Sequence, residues 1–171
     1  MKNKSLKQIV IVVGNSASGK STLSKMLGEY YNSEVLGFSY AGRLLSAEKK
    51  DSSKFLEIND YIYSCIIAGI ARNDVLVIDG LASDYILNKL KKHYLVIVLC
   101  LITSYENRIQ RMAIREHCTI EEAALIERKK EEGKAKAGLE KVILEADCFI
   151  DCTKSSEKVF LEAISFLKSK I

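Results

Sequence analysis

Apolar residues along this chain alternate between two kinds of pattern. Short, β-branched runs at 8–13, 34–38, 75–78, 95–102 and 148–150 have the unbroken hydrophobicity of strands buried on both faces. Between them the apolar positions take a helical period. Leu23, Met26, Leu27 and Tyr30 mark one helix; Ile58, Ile62, Cys65/Ile66 and Gly69/Ile70 mark another within 54–72; Val159/Phe160, Ala163/Ile164 and Leu167 mark a third within 155–169. Thr119 followed by Glu122 has the signature of a capping box and predicts a helix running into the charged stretch 127–136. Strands alternating with helices predict an α/β fold, a mostly parallel sheet with helices on both faces. Ligands in such folds bind beyond the carboxyl ends of the strands.

Composition narrows this picture without changing it. The sequence contains no proline, no Gly/Ser-rich linker and no repeat, so its 171 residues read as one domain, 1–171, large enough to bury a core without staples. Apolar residues at 48% and charged residues at 28% are an ordinary soluble balance. The net charge of +4 is mild and the basic residues are interleaved with acids, which disfavours a nucleic-acid polymer as partner but suits a small phosphate-bearing ligand. The longest apolar run, 95–102, falls far short of the roughly 20 residues that cross a bilayer. The opening MKNKSLKQ lacks the apolar core of a signal peptide. Cysteines at 65, 100, 118, 148 and 152 form no C-x-x-C pair, and only His93 and His117 could join them at a metal. They read as free thiols in a reducing cytoplasm. His117 beside Cys118 suggests a catalytic pair, but neighbours on a helix point to different faces and read better as bystanders.

The chemistry begins at Gly14-Asn15-Ser16-Ala17-Ser18-Gly19-Lys20-Ser21, which fits G-x-x-x-x-G-K-[ST] between a strand and an amphipathic helix. Backbone N–H groups that turn inward around phosphate oxygens need residues free of Cβ clashes at the bends. A helix starting near Lys20 aims its unpaired N–H groups and positive dipole end at the same anion. Lys20 adds a point charge for the β- and γ-phosphates, and the Ser21 hydroxyl suits Mg²⁺. Asp79, closing the strand pattern D-V-L-V-I-D-G, can hold Mg²⁺ opposite Ser21 or accept a proton from a substrate hydroxyl.

Arg108, Arg111 and Arg115 fall on one narrow helical stripe at about 100° per residue. None has an acid three or four positions away, and like charges so stacked cost roughly 0.2–0.5 kcal/mol per pair. An outside anion is therefore expected to supply the counter-charge, and planar guanidinium groups suit a transferring phosphoryl group. Arg128 has Glu131 and Glu132 at i+3 and i+4, the spacing of a surface ion-pair lattice, and 127–136 reads as a mobile charged strip belonging to a lid. Within that strip Lys134 and Lys136 could reach phosphates, but a solvated face is the better reading. Arg43, near a helix start after the second strand, is electrostatically misplaced unless an acceptor anion binds there.

With these residues in hand the chain resembles the nucleoside monophosphate kinase group of P-loop proteins, which includes adenylate, cytidylate and dephospho-coenzyme A kinases and a set of archaeal relatives. VLVIDGLAS resembles the strand and D-G turn of adenylate kinases. RMAIREHCTIEEA is similar to the lid start of dephospho-coenzyme A kinases, EADCFIDCTKSSEKVFLEAI to the closing strand and helix of the group, and GLEKVILEAD to the archaeal set. The resemblance implies a three-layer P-loop fold with a five-stranded parallel core and a short helical lid at about 108–137 that closes on ATP. It implies that 14–22 (Gly14, Asn15, Ser16, Ala17, Ser18, Gly19, Lys20, Ser21 and Thr22) bind nucleotide phosphates, with Ser21 and Asp79 at Mg²⁺. It further implies that Ser39 and Arg43 lie at the acceptor, that Arg111 and Arg115 are lid arginines, and that Thr153, Lys154 and Ser155 touch adenine. The chain departs from the group at Ser83 and Ala82, where adenylate kinases and the archaeal relatives respectively carry an arginine. It departs also at Tyr40, where many relatives carry an aspartate.

The function expected is ATP- and Mg²⁺-dependent transfer of a phosphoryl group to a small phosphorylated acceptor, a nucleoside monophosphate, by a monomer or homodimer. A hydroxyl acceptor on a metabolite or coenzyme precursor is the alternative, as is a nucleotide-binding protein with little transfer activity. A guanine-binding N-K-x-D and a transporter-type L-S-G-G-Q are both absent from the sequence.

Overall fold

The computed structural model describes residues 7–38 and 52–170. Ser39, Tyr40 and Arg43, expected at the acceptor, lie outside these residues. The elements in chain order are β1 (Gln8–Gly14), α1 (Lys20–Tyr31), β2 (Val35–Gly37), α2 (Ser52–Arg72), β3 (Val75–Asp79), α3 (Asp84–Lys91), β4 (Leu95–Ile102), α4 (Tyr105–Glu116), α5 (Ile120–Ala137), α6 (Leu139–Leu144), β5 (Cys148–Asp151) and α7 (Ser156–Lys168). The strands form a five-stranded sheet in the order β2-β3-β1-β4-β5. Every pairing is parallel.

The central place of β1 explains its sequence. All of Gln8–Gly14 is buried, flanked by β3 and β4, so both faces of the strand must be apolar. Alternate residues supply two cores. Ile9, Ile11 and Val13 face α2, α3 and α6 through Ile62, Ile66, Leu87 and Val142. Val10 and Val12 face α1 and α7 through Leu23, Leu27, Ala163 and Leu167. A third, smaller cluster of Ile109, Met112, Ala113 and Ala123 joins α4 to α5, with Ala17 of the phosphate loop packed against it. The α4–α5 region is thus cored in its own right and touches the loop.

The chain leaves β1 for β2 and β3 on one side, then crosses to β4 and β5 on the other. The carboxyl end of β1 therefore stands at a topological switch point, where such sheets bind ligands. The predicted capping box is present: Thr119 Oγ1 accepts from the Glu122 amide at 3.2 Å, and Glu122 Oε2 accepts from the Thr119 amide at 2.9 Å. The stretch 127–136 departs from the expected mobile strip, because it is the second half of the continuous helix α5. His117, at φ 52, ends α4 as a left-handed cap, and all five cysteines are free.

Candidate active site

Sterics decide the shape of the loop between β1 and α1. Gly14 sits at φ 141, and a Cβ there would lie 2.6 Å from the Leu101 carbonyl oxygen. No other residue fits so close to β4. Gly19, at φ 101, has open space around it and is glycine for its backbone conformation alone. Between them Ala17 is held at φ 60, a left-handed conformation that costs a non-glycine residue roughly 1–2 kcal/mol. Packing of Ala17 on the third core helps to hold it there.

Lys20, on the first turn of α1, folds back so that Nζ donates to the Asn15 carbonyl at 2.7 Å. Its pKa is lowered to about 8, first by burial and then by the charge of Lys134; Asp79 and Glu131 oppose the shift, and Arg115 adds to it. Four charges from three other elements thus act on one ammonium group. Asp79 ends β3 in register with Val12 of β1 and Gly37 of β2. Its turn is fixed by Gly80 N–H donating to the Val12 carbonyl at 3.0 Å and Phe38 N–H donating to the Asp79 carbonyl at 3.2 Å. Ser21 and Thr22 are exposed on the first turn of α1. Among the described residues no group of three or more His, Cys, Asp or Glu could hold a metal ion. The donor set fits Mg²⁺ in another way: Ser21 and Asp79 supply hard oxygens, and this ion takes its remaining ligands from phosphates and water.

On the other side of Gly19 lies a cavity of about 210 Å³, lined by Gly19, Thr22, Met26, Arg111, Cys152 and Lys154 among others. Arg111 Nη2 donates to the Cys152 carbonyl at 2.7 Å, which ties α4 to the loop after β5. Of the expected trio, Lys154 lines this cavity, whereas Thr153 is turned onto Asp151 (N–H and Oγ1 both at 2.9 Å) and Ser155 caps α7. The Cys152 thiol is pushed up to about 11, chiefly by burial. It stays protonated at neutral pH.

The arginine stripe does not act as one unit. Arg108, at 7% exposure, is ion-paired with the equally buried Glu127 of α5. Its counter-charge comes from within the protein, which corrects the inference that an outside anion must supply it. Intrahelical spacing could not reveal a partner on another helix. Arg115 is exposed and bonded through Nη2 to Glu116 at 2.8 Å, and Glu116 also accepts from Lys130 at 3.2 Å. Arg128 pairs with Glu132 at 4.0 Å on the surface, as its spacing predicts.

Two residues of the charged strip prove to belong to the loop. The Ser16 amide donates to Glu131 Oε1 at 2.7 Å; Lys134 Nζ donates to that same oxygen at 3.0 Å and to Ser16 Oγ at 2.9 Å. The side chains of Glu131 and Lys134 are each only 22% exposed. Burial raises the Glu131 pKa, but Lys134 and the Ser16 amide outweigh it and hold the carboxyl below its usual range. Burial lowers the Lys134 pKa, against the pull of Glu131. The i, i+3 spacing of these residues reads in sequence as a solvated pair, so only the packing of α5 onto the loop distinguishes them.

Ser83, which stands where adenylate kinases carry an arginine, is 1% exposed. It donates to Asn59 Oδ1 at 2.6 Å and caps α3. That position is structural here.

A model of the cytidylate kinase-like family matches residues 4–140. No curated protein matches the chain. Among solved structures it is similar to an uncharacterized protein of Eubacterium ventriosum ATCC 27560, at 18% identity and a TM-score of 0.66 over 95% of this chain and 98% of that one. A gluconokinase from Sinorhizobium meliloti 1021 matches at 16% identity and a TM-score of 0.63 over 96% and 93%. A shikimate kinase from Aquifex aeolicus vf5 matches at 16% identity and 0.56 over 95% and 97%. These likenesses show the fold.

Proposed function

The chain belongs to the cytidylate kinase-like family, and on that footing we propose that it moves the γ-phosphoryl group of ATP to a small phosphorylated acceptor, a nucleoside monophosphate. The observation that carries this reading is the meeting of Lys20 and Lys134 at the phosphate loop, where they bond Asn15 and Ser16, with Asp79 and Arg115 within electrostatic reach of Lys20. Cations gathered from α1, α4 and α5 suit the charge that spreads over a transferring phosphoryl group. In this reading the base lies in the cavity beside Gly19, which Arg111 and Lys154 help to line. The backbone amides of 14–22 hold the phosphates. Ser21 and Asp79 would hold Mg²⁺, which would supply positive charge against the bound phosphates. Ser39 and Arg43 bind the acceptor phosphate, which attacks in line and, being ionised, needs no base. The α4–α5 lid keeps water from the transferring group.

One observation favours a second reading. With Ser83 buried on Asn59, the turn after Asp79 offers the acceptor no cation. A hydroxyl acceptor, with Asp79 taking its proton, suits such a turn, and gluconokinase and shikimate kinase are the kind of enzyme to which two of the similar structures belong.

ADP formation from Mg-ATP, measured against ribo- and deoxynucleoside monophosphates, dephospho-coenzyme A, gluconate and shikimate, separates the two. Stimulation by monophosphates alone, abolished in Lys20→Ala, is the expected result. Stimulation by hydroxyl acceptors alone selects the second reading, and ATP binding with no acceptor-stimulated turnover rejects both. Arg43→Ala should raise the acceptor KM well above any change in the KM for ATP; equal changes would reject its role.

A further inference from the structure

The bonds that close α5 onto the phosphate loop put a carboxylate where the loop is shaped to hold an anion of another kind. Ser16, at 7% exposure, lies between Gly14 and Gly19, the two loop glycines held at positive φ. Its N–H is taken by Glu131 at 2.7 Å. The fold of α5 does not require this contact. The helix is already fixed by the Thr119–Glu122 box, by the Arg108–Glu127 pair and by the core around Met112 and Ala123. Nor is the carboxylate a passive neighbour: it lies within electrostatic reach of Lys20, the loop's own phosphate ligand, and it brings Lys134 to the Ser16 hydroxyl.

We propose that Glu131 is a resident anion of the phosphate loop, a positioning residue that fills the terminal-phosphate seat at Ser16 and keeps Lys134 beside it until nucleotide arrives. The proposal rests on reading the loop as a nucleotide site. A phosphate oxygen and a carboxylate cannot both take the single Ser16 N–H, and two anions at that distance repel. Nucleotide entry therefore exchanges hydrogen bonds: the phosphate takes the amide, Glu131 withdraws, and Lys134 loses its partner and turns its charge to the phosphate. No covalent bond changes. The direction of the nucleotide follows from the cavity lined by Ser18, Gly19 and Thr22, residues further along the chain than Ser16, which is not part of that lining. A base seated there sends its phosphates along the loop toward Glu131, so the last phosphate of a triphosphate meets this seat and a diphosphate stops short of it. Glu131 then weakens the binding of ATP more than that of ADP, because only the fraction of molecules with the seat open is competent for the longer chain.

Calorimetric titration of the full chain with a non-hydrolysable Mg-ATP analogue and with Mg-ADP tests this in wild type, Glu131→Gln, Glu131→Ala and Lys20→Ala. Removing the charge should tighten the ATP analogue by about tenfold in Glu131→Ala and ADP by no more than about twofold, with Glu131→Gln, which keeps an acceptor, in between. The ¹⁵N–H resonance of Ser16 in nucleotide-free protein should shift in Glu131→Gln, and should shift in wild type when the ATP analogue is added. Thermal melts establish that the variants fold, and the milder Glu131→Gln keeps the test intact should Glu131→Ala not fold. Unchanged or weaker binding of the ATP analogue by folded variants, or equal changes for ATP and ADP, overturns the proposal and leaves Glu131 a strut. Wild-type protein that binds no nucleotide, or Lys20→Ala that binds it as tightly, overturns the loop reading instead, and the proposal with it.

Discussion

Glu127 and Glu131 lie one turn apart on α5, and each is paired with a cation. Glu127 meets Arg108 inside the seam between α4 and α5, where both side chains are more than nine-tenths buried. Glu131 meets Lys134 at the rim of the phosphate loop, where Glu131 accepts from the Ser16 amide and Lys134 donates to the Ser16 hydroxyl. The pairs differ in what could replace each partner. Inside the seam Glu127 answers Arg108 with both side chains shielded from water, and the value of that pair is mechanical. At the loop an entering phosphate can stand in for the carboxylate, so the second pair can be exchanged. The lesson is that a buried ion pair becomes a functional element when one of its charges stands in a seat that a ligand can also fill.

The difference can be tested by breaking the first pair. Arg108→Ala or Glu127→Ala leaves an uncompensated buried charge and should cost about 3–5 kcal/mol, seen as a large fall in Tm, while the apolar double variant Arg108→Met/Glu127→Leu recovers most of it. Failure of either single variant to destabilise would mean that the seam is solvated.

A pH titration reads the second region. Lys20 has a pKa of about 8 in the ligand-free protein, and bound phosphate favours its ammonium form and raises that value. Binding above pH 8 therefore takes up a proton. Nucleotide affinity should fall as pH rises through 8, by at most about tenfold per pH unit, in wild type but not in Lys20→Arg. The same group affects folding in the opposite sense. The unfolded chain keeps the lysine proton up to its ordinary 10.5, so between about 8 and 10.5 this residue's contribution makes the ligand-free protein more stable as pH rises.

Smaller effects sharpen the contrast. Thr119→Ala removes the cap of the helix that carries both carboxylates and should cost about 1 kcal/mol in chemical denaturation. Glu131→Gln keeps the Ser16 hydrogen bond at the partly buried rim of the loop and should change folding stability by no more than about 1 kcal/mol, far less than either change in the seam. A loss comparable to that of Glu127→Ala would make the two sites equivalent.

Most of the architecture was legible in the sequence because buried parallel strands and amphipathic helices each carry their own period. The strand runs at 8–13 and 95–102 and the box at Thr119 are local signals, and the structure reproduces them within a residue or two. The candidate site was legible only in part. Gly14, Gly19, Lys20 and Ser21 sit at fixed spacing along one turn of chain, so their relation is local as well. Arg108 misled because its partner lies on another helix, and its exposure could not be inferred from the spacing of charges. Thr153 and Ser155 were expected at the base, yet their hydroxyls are taken by the turn and by the cap of α7. Lys154 alone of the three lines the cavity.

By itself the sequence determined the alternation of elements, the parallel sheet and the phosphate loop at the end of β1, since each depends on residues that are neighbours in the chain. The tertiary structure decided which charges meet. Glu131 and Lys134 reach Ser16 across more than a hundred positions, and Arg108 finds Glu127 across a helical turn-around. Charge pairing depends on distance through space and on exclusion of water, and neither is set until α5 has packed against α4 and the loop.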